Sequence, residues 1–190
     1  MTEIQHLLAL IDRAYDRRSW HGTNLRGSIR GLSARQAAWR PGPSRHNIWE
    51  LVVHAAYWKY AARRRLTGES RGSFPVKGSN WFERPPVTTQ VRLKADSTYG
   101  LKTRTTYGLP TKTTDGLKTD ATDGWRSDIE LLDQMHRALR DAVAHQSPRL
   151  LHRNIGGSQD TRFSLIAGVA AHDLYHAGQI QLLKALSHRS

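Results

Sequence analysis

His172 and His176 stand four residues apart in the segment Ala170-Ala171-His172-Asp173-Leu174-Tyr175-His176-Ala177-Gly178-Gln179-Ile180. Four residues of helix advance about 400°, so both imidazoles project from one face, one turn apart. At that separation two ring nitrogens can reach one metal ion. His54, in the amphipathic stretch Ile48-Trp49-Glu50-Leu51-Val52-Val53-His54-Ala55-Ala56-Tyr57-Trp58, is the third candidate. Three neutral imidazoles with one coordination position open suit a catalytic divalent metal. On spacing alone, the competing reading is a pair of polar or hydrogen-bonded core histidines. Context favours the metal. Leu165, Val169, His172, His176, Gln179 and Leu183 follow a bundle-facing period, which sets the histidines on an inward stripe. Two imidazoles and a glutamine are costly to bury without partners, and an ion would supply one.

Such an ion keeps its charge, so a fourth ligand feels a strong field. Bound water can fall to a pKa of about 7. A bound thiol ionises more readily still, and the nucleophile then comes from the substrate. That second chemistry suits a chain with no cysteine. A zincin-type protease helix also carries two histidines at this spacing. Here Asp173 follows the first histidine where glutamate would be needed, so the base is one methylene short, and the third ligand lies upstream. Asp173 reads instead as a surface carboxylate or one that orients an imidazole. Tyr175, Gln179 and Trp58 read as bundle packing ahead of substrate contact. His136 reads as a satisfied core residue. His6, His21, His46, His145, His152 and His188 receive no role.

Four amphipathic helices must position these groups. Thr2-Glu3-Ile4-Gln5 has capping-box form and opens the first, with Ile4, Leu7, Leu8, Ile11 and Tyr15 apolar. Trp20-His21-Gly22 interrupts it, and a helical stretch resumes through Leu25, Ile29 and Leu32. Ser33-Ala34-Arg35-Gln36 caps a short turn before Pro41-Gly42-Pro43. Asn47 caps the second long helix, which runs to about Gly68. The third spans roughly Trp125 to His145 and stops at Pro148. Thr161 caps the fourth, which ends near Leu186. With no convincing strand pair, the class is an all-α bundle, a single domain over residues 1–190.

A long polar connection separates the second and third helices. Its later part repeats with period eight, as in Ser97-Thr98-Tyr99-Gly100-Leu101-Lys102-Thr103-Arg104 and Thr113-Thr114-Asp115-Gly116-Leu117-Lys118-Thr119-Asp120. Units this short, with one leucine each, are poor solenoid material. Residues 86–124 therefore read as a flexible insert containing the repeat at 97–124, with no chemistry assigned.

The formal charge of +13 invites a nucleic-acid reading. The arginines are scattered, however, and only Arg63-Arg64-Arg65 clusters, at a helix end where cations are favourable. No recognition-helix or stacking motif accompanies the charge, so nucleic acid is not the expected partner. No apolar run approaches a membrane span, and the polar start Met1-Thr2-Glu3-Ile4-Gln5-His6 does not read as a signal peptide. No membrane partner is expected, residence is read as cytoplasmic, and a homodimer is compatible with the sequence.

Trp39-Arg40-Pro41, His46-Asn47-Ile48-Trp49-Glu50-Leu51-Val52-Val53-His54 and the later His-x-x-x-His helix together resemble the DinB/YfiT-like superfamily of bacterial four-helix metalloproteins. The resemblance covers the chain outside the repeat. It implies a bundle whose second and third helices run parallel, with a long crossover where this chain has its polar connection. It implies one divalent metal, zinc or nickel, held by His54, His172 and His176. It also implies, from relatives that transfer mycothiol or bacillithiol, a metal-dependent transferase joining a low-molecular-weight thiol to a small molecule. It does not imply DNA binding. The competing hypothesis is a non-enzymatic basic binding protein, for nucleic acid or a protein partner, whose metal is structural. A fourth protein ligand would favour that hypothesis, and an open position would favour the enzyme. The insert departs from the family pattern and puts access to the site in question.

Overall fold

The computed structural model describes residues 1–84 and 114–187, the side chains of 114–120 excepted. Helix α1 spans Glu3–Tyr15, and the capping box is present: Thr2 accepts from the Gln5 amide while the Gln5 side chain accepts from that of Thr2. Two short helices follow, α2 (Leu25–Ser28) and α3 (Ala34–Ala37), the latter opened by the Ser33–Gln36 box. Helix α4 is Ile48–Thr67. Asn47 and Glu50 cap its start, and Gly68, at φ 79°, ends it in the left-handed region that glycine adopts without strain. Helix α5 is Thr114–Ala144, and a 3-10 turn at Pro148–Leu150 follows it. Helix α6 is Arg162–Ser187, with Thr161 accepting from the Ser164 amide at 3.0 Å. Among the described residues the only extended pairing is one bridge, Asn154 to Thr161. The all-α class holds.

The third long helix begins before the expected Trp125. Low propensity of the Thr- and Gly-rich sequence is overridden by packing, since Ala121 rests on the core and Gly124 lies against the Trp49 indole. Residues 114–124 therefore belong to helix rather than to a flexible insert. The remainder of that expectation, residues 86–113, falls outside the described residues.

Helix α1 packs between α5 and α6, and α4 packs between the same two helices. Directions follow from side-chain pairs. Trp49, at the start of α4, donates to Asp128 at 2.6 Å; further along, Lys59 lies 4.9 Å over the Tyr15 ring, which stacks on His136 at 3.8 Å. Helices α4 and α5 thus run the same way. Helix α6 opposes α4, because Arg65 near the end of α4 reaches Asp160 just before α6, at 2.9 Å.

The apolar core is divided in two. Trp49, Val52, Trp125, Leu132 and Ile180 belong to one cluster. Leu7, Ile11, Leu139, Leu151 and Ile166 belong to the other. Between them along the helices lies a polar layer of Lys59, Asp173 and His136, all buried, with Tyr15 of the first cluster stacked on His136. The buried stripe of α6 is centred on Ile166, Ala170, Asp173, Ala177 and Ile180. The expected inward stripe is therefore rotated: His176 remains buried, while His172 and Gln179 lie on its half-buried flank.

Candidate metal centre

His54, in the second turn of α4, meets His172 and His176 across the α4–α6 interface. Its Nε2 lies 3.1 Å from His172 Nε2, and His176 Nε2 lies 3.0 Å from the same atom. All three candidate ligand atoms fall within 4.8 Å of one another. Three nitrogens at about 2.0–2.1 Å from a tetrahedral ion stand about 3.3 Å apart, close to these separations. The three residues singled out in the sequence are thus brought together.

The outer ring nitrogens fix the inner ones. His54 Nδ1 lies 2.7 Å from the Asn80 backbone carbonyl, an atom that only accepts. Its proton must sit on Nδ1, which leaves a lone pair on Nε2. His176 Nδ1 lies 2.7 Å from Gln179 Oε1, with the same consequence. Gln179 is therefore an orienting residue rather than simple packing. Burial holds His54 at about 4 and His172 at about 3, each further lowered by neighbouring imidazoles, and burial lowers His176 as well. All three are neutral near pH 7, as ligation requires.

Asn80 reaches the site through a loop that the sequence reading passed over. It adopts φ 65°, a conformation that asparagine tolerates better than most residues. Its carbonyl faces His54, while its side-chain oxygen accepts from Trp58 Nε1 at 3.0 Å. Trp81 then lies flat between two imidazoles, 3.9 Å from His54 and 3.6 Å from His46. Phe74 and Phe82 pack against Tyr57 and each other, and the Tyr60 hydroxyl accepts from the Gly72 and Ser73 amides. These contacts hold the loop on α4. A Ser-Asn-Trp segment in a glycine-rich loop was the available signal, but its partner is 26 residues away.

Asp173 corrects the sequence reading. It neither lies at the surface nor orients an imidazole: it is buried in an ion pair with Lys59, both side chains 1% exposed. Burial raises its carboxyl, against the pull of the ammonium. Its Oδ1 has no hydrogen-bond partner. His136 is buried and stacked on Tyr15 as a core residue, but it is not satisfied, since Nδ1 has no partner. Trp58 and Tyr175, read as packing, are 41% and 63% exposed beside the triad. His46, given no role, also contacts Glu50 at 3.1 Å. Glu50 is buried and ion-paired with Arg40, and that pair ties the loop before α4 to its first turn.

The donor set is three neutral nitrogens, and among the described residues no carboxylate joins it. That set suits borderline divalent ions such as zinc or nickel better than calcium or magnesium. No described helix is long and apolar enough to cross a membrane. Neither the curated proteins nor the solved structures contain a match to this chain. The model of the DinB superfamily matches residues 17–180, a span that holds all three histidines and the motifs around them, and the chain belongs to that superfamily.

Proposed function

We propose that His54, His172 and His176 hold one divalent ion, zinc or nickel, and that the protein uses it to activate a nucleophile against a small molecule. The observation that carries this reading is the convergence of three Nε2 atoms while the Nδ1 atoms of His54 and His176 are tied to oxygen acceptors. When bound, such an ion lowers the pKa of a water or thiol at its fourth position. A low-molecular-weight thiol is the favoured nucleophile, because the chain has no cysteine of its own. The cytoplasm, where such thiols are kept reduced, is the corresponding compartment.

The remaining residues support an open site. Lys59 holds Asp173, the nearest carboxylate in sequence, away from coordination. Asn80 and Gln179 keep the rings of His54 and His176 in place. His172 is only half-buried, and exposed Trp58 and Tyr175 flank it and His176, so a small molecule can approach from that side. A binding protein with a structural metal gains no comparable support. In the arginine cluster Arg63 pairs with Glu69, Arg64 donates to the Glu69 carbonyl, and Arg65 pairs with Asp160.

The test is thiol consumption by zinc- or nickel-loaded protein, using small thiols against a panel of electrophilic acceptors. Turnover that disappears on chelation and in His172→Ala is the expected result. If fully loaded protein consumes no thiol above background with any acceptor, the thiol reading is wrong.

A further inference from the structure

The polar layer that begins at the triad does not end there. On the opposite side of the bundle, between α1 and α5 with α2 alongside, it opens into a cavity of about 580 Å³. That volume falls within the range of about 300–1,000 Å³ common for small-molecule sites. None of the three histidines of the metal centre lines it.

Its inner wall is fixed. Asp133 takes both Arg26 Nε at 2.9 Å and Nη2 at 3.2 Å, and the Tyr15 hydroxyl donates to the same carboxylate. The Asp133 charge is thereby matched by Arg26 in a two-point pair. Tyr15 is held by this bond, by the stacked His136 ring and by Lys59 over its face. Arg30 and Arg137 also line the cavity, and neither has an ion-pair partner among the described residues. Asp16 is the one remaining acid on the wall, and it lies 3.8 Å from Arg17. The wall thus carries three guanidinium groups against two carboxylates, an excess of one positive charge, and Arg30 and Arg137 each keep a planar fork suited to an oxyanion.

We infer that this cavity is a second ligand site, for a small organic molecule bearing a phosphate or carboxylate group held by Arg30 and Arg137. The volume exceeds what an inorganic ion needs, and the paired Arg26–Asp133 wall offers polar contacts to the rest of the molecule. Such a ligand would lie across the polar layer from the metal centre, with Tyr15, Lys59 and Asp173 between them.

Isothermal titration at physiological salt would use the full chain with phenyl phosphate, benzoate and benzamide, the last a neutral counterpart of benzoate. Saturable binding of phenyl phosphate or benzoate, and not of benzamide, is expected, and whichever binds more tightly identifies the anionic group. Arg30→Gln/Arg137→Gln should weaken binding at least tenfold. Arg149→Gln/Arg153→Gln, which removes the same charge elsewhere, should change it less than twofold. The His136 imidazole resonances should move on binding with or without a chelator, since the site does not require the metal. The inference fails if no anion saturates by ten millimolar, if benzamide binds as well as benzoate, or if the two double variants weaken binding equally.

Discussion

Lys59 and Asp173 show most plainly what single side chains do here. A buried ion pair with one carboxylate oxygen unsatisfied is a weak source of stability, because desolvating both charges offsets their attraction. What the pair fixes is geometry. Asp173 follows His172 directly, and Lys59 stands five residues after His54, so the contact sets the rotation of α6 against α4 just beside the triad. Lys59→Met should destabilise the fold by about 3–5 kcal/mol by leaving a buried charge unpaired. Lys59→Met/Asp173→Leu should recover most of that loss. Urea unfolding of both variants checks this, and a double variant no better than the single would mean that the pair is itself a major source of stability. Gln179→Ala acts differently. It frees the His176 ring without removing a ligand, and should weaken metal binding by about 10–100-fold with little change in unfolding.

Among the helices, α4, which supplies His54, was the most legible. Its capping box, its αL glycine and His54 were all readable, because each rests on residues within a few positions of one another. Asn47→Ala should cost about 1 kcal/mol in thermal or urea unfolding through loss of that cap. The α5 start was misplaced because threonine and glycine are poor helix formers, and only the Trp49 indole, distant in sequence, shows why the helix persists at Gly124. The stripe of α6 was misjudged because Asp173 looks polar until Lys59 is placed against it. Asn80 and Trp81 were passed over despite their Ser-Asn-Trp setting, since their role depends on a loop folding back over α4. The α1–α5 interface also carries a pH response. Burial, with help from Lys59, Arg140 and Arg137, holds His136 at about 3, and Asp12 of α1 faces its Nε2 at 3.6 Å. The ordinary value is about 6.5, so the unfolded chain takes up the proton first. This contribution to stability is complete above about pH 6.5 and is lost as pH falls towards 3. His136→Phe keeps the stacked ring and should flatten the stability profile between those limits; an unchanged slope would assign the response to other groups.

Taken together, the bundle is two apolar clusters separated by a polar layer, with the histidine triad at one side and an arginine-lined cavity at the other. The net charge of +13 should act through general electrostatics rather than as a reader of sequence. Binding to DNA should be weak, indifferent to sequence, and lost near physiological salt, as a filter-binding series across salt concentrations would record. Metal should act on the whole bundle, because an ion that binds only the folded chain raises its stability with concentration, by about 2.7 kcal/mol at one hundred times Kd. The most direct measurement is metal content by mass spectrometry on untagged protein, stripped and then dialysed against limiting zinc or nickel. It should be run beside His54→Ala, His172→Ala and His176→Ala, with helicity followed by circular dichroism. One ion per chain in the parent, and sharply lower occupancy in each variant at nearly unchanged helicity, is the predicted result. A parent that retains no ion, or variants that hold it as tightly as the parent, would contradict the metal centre.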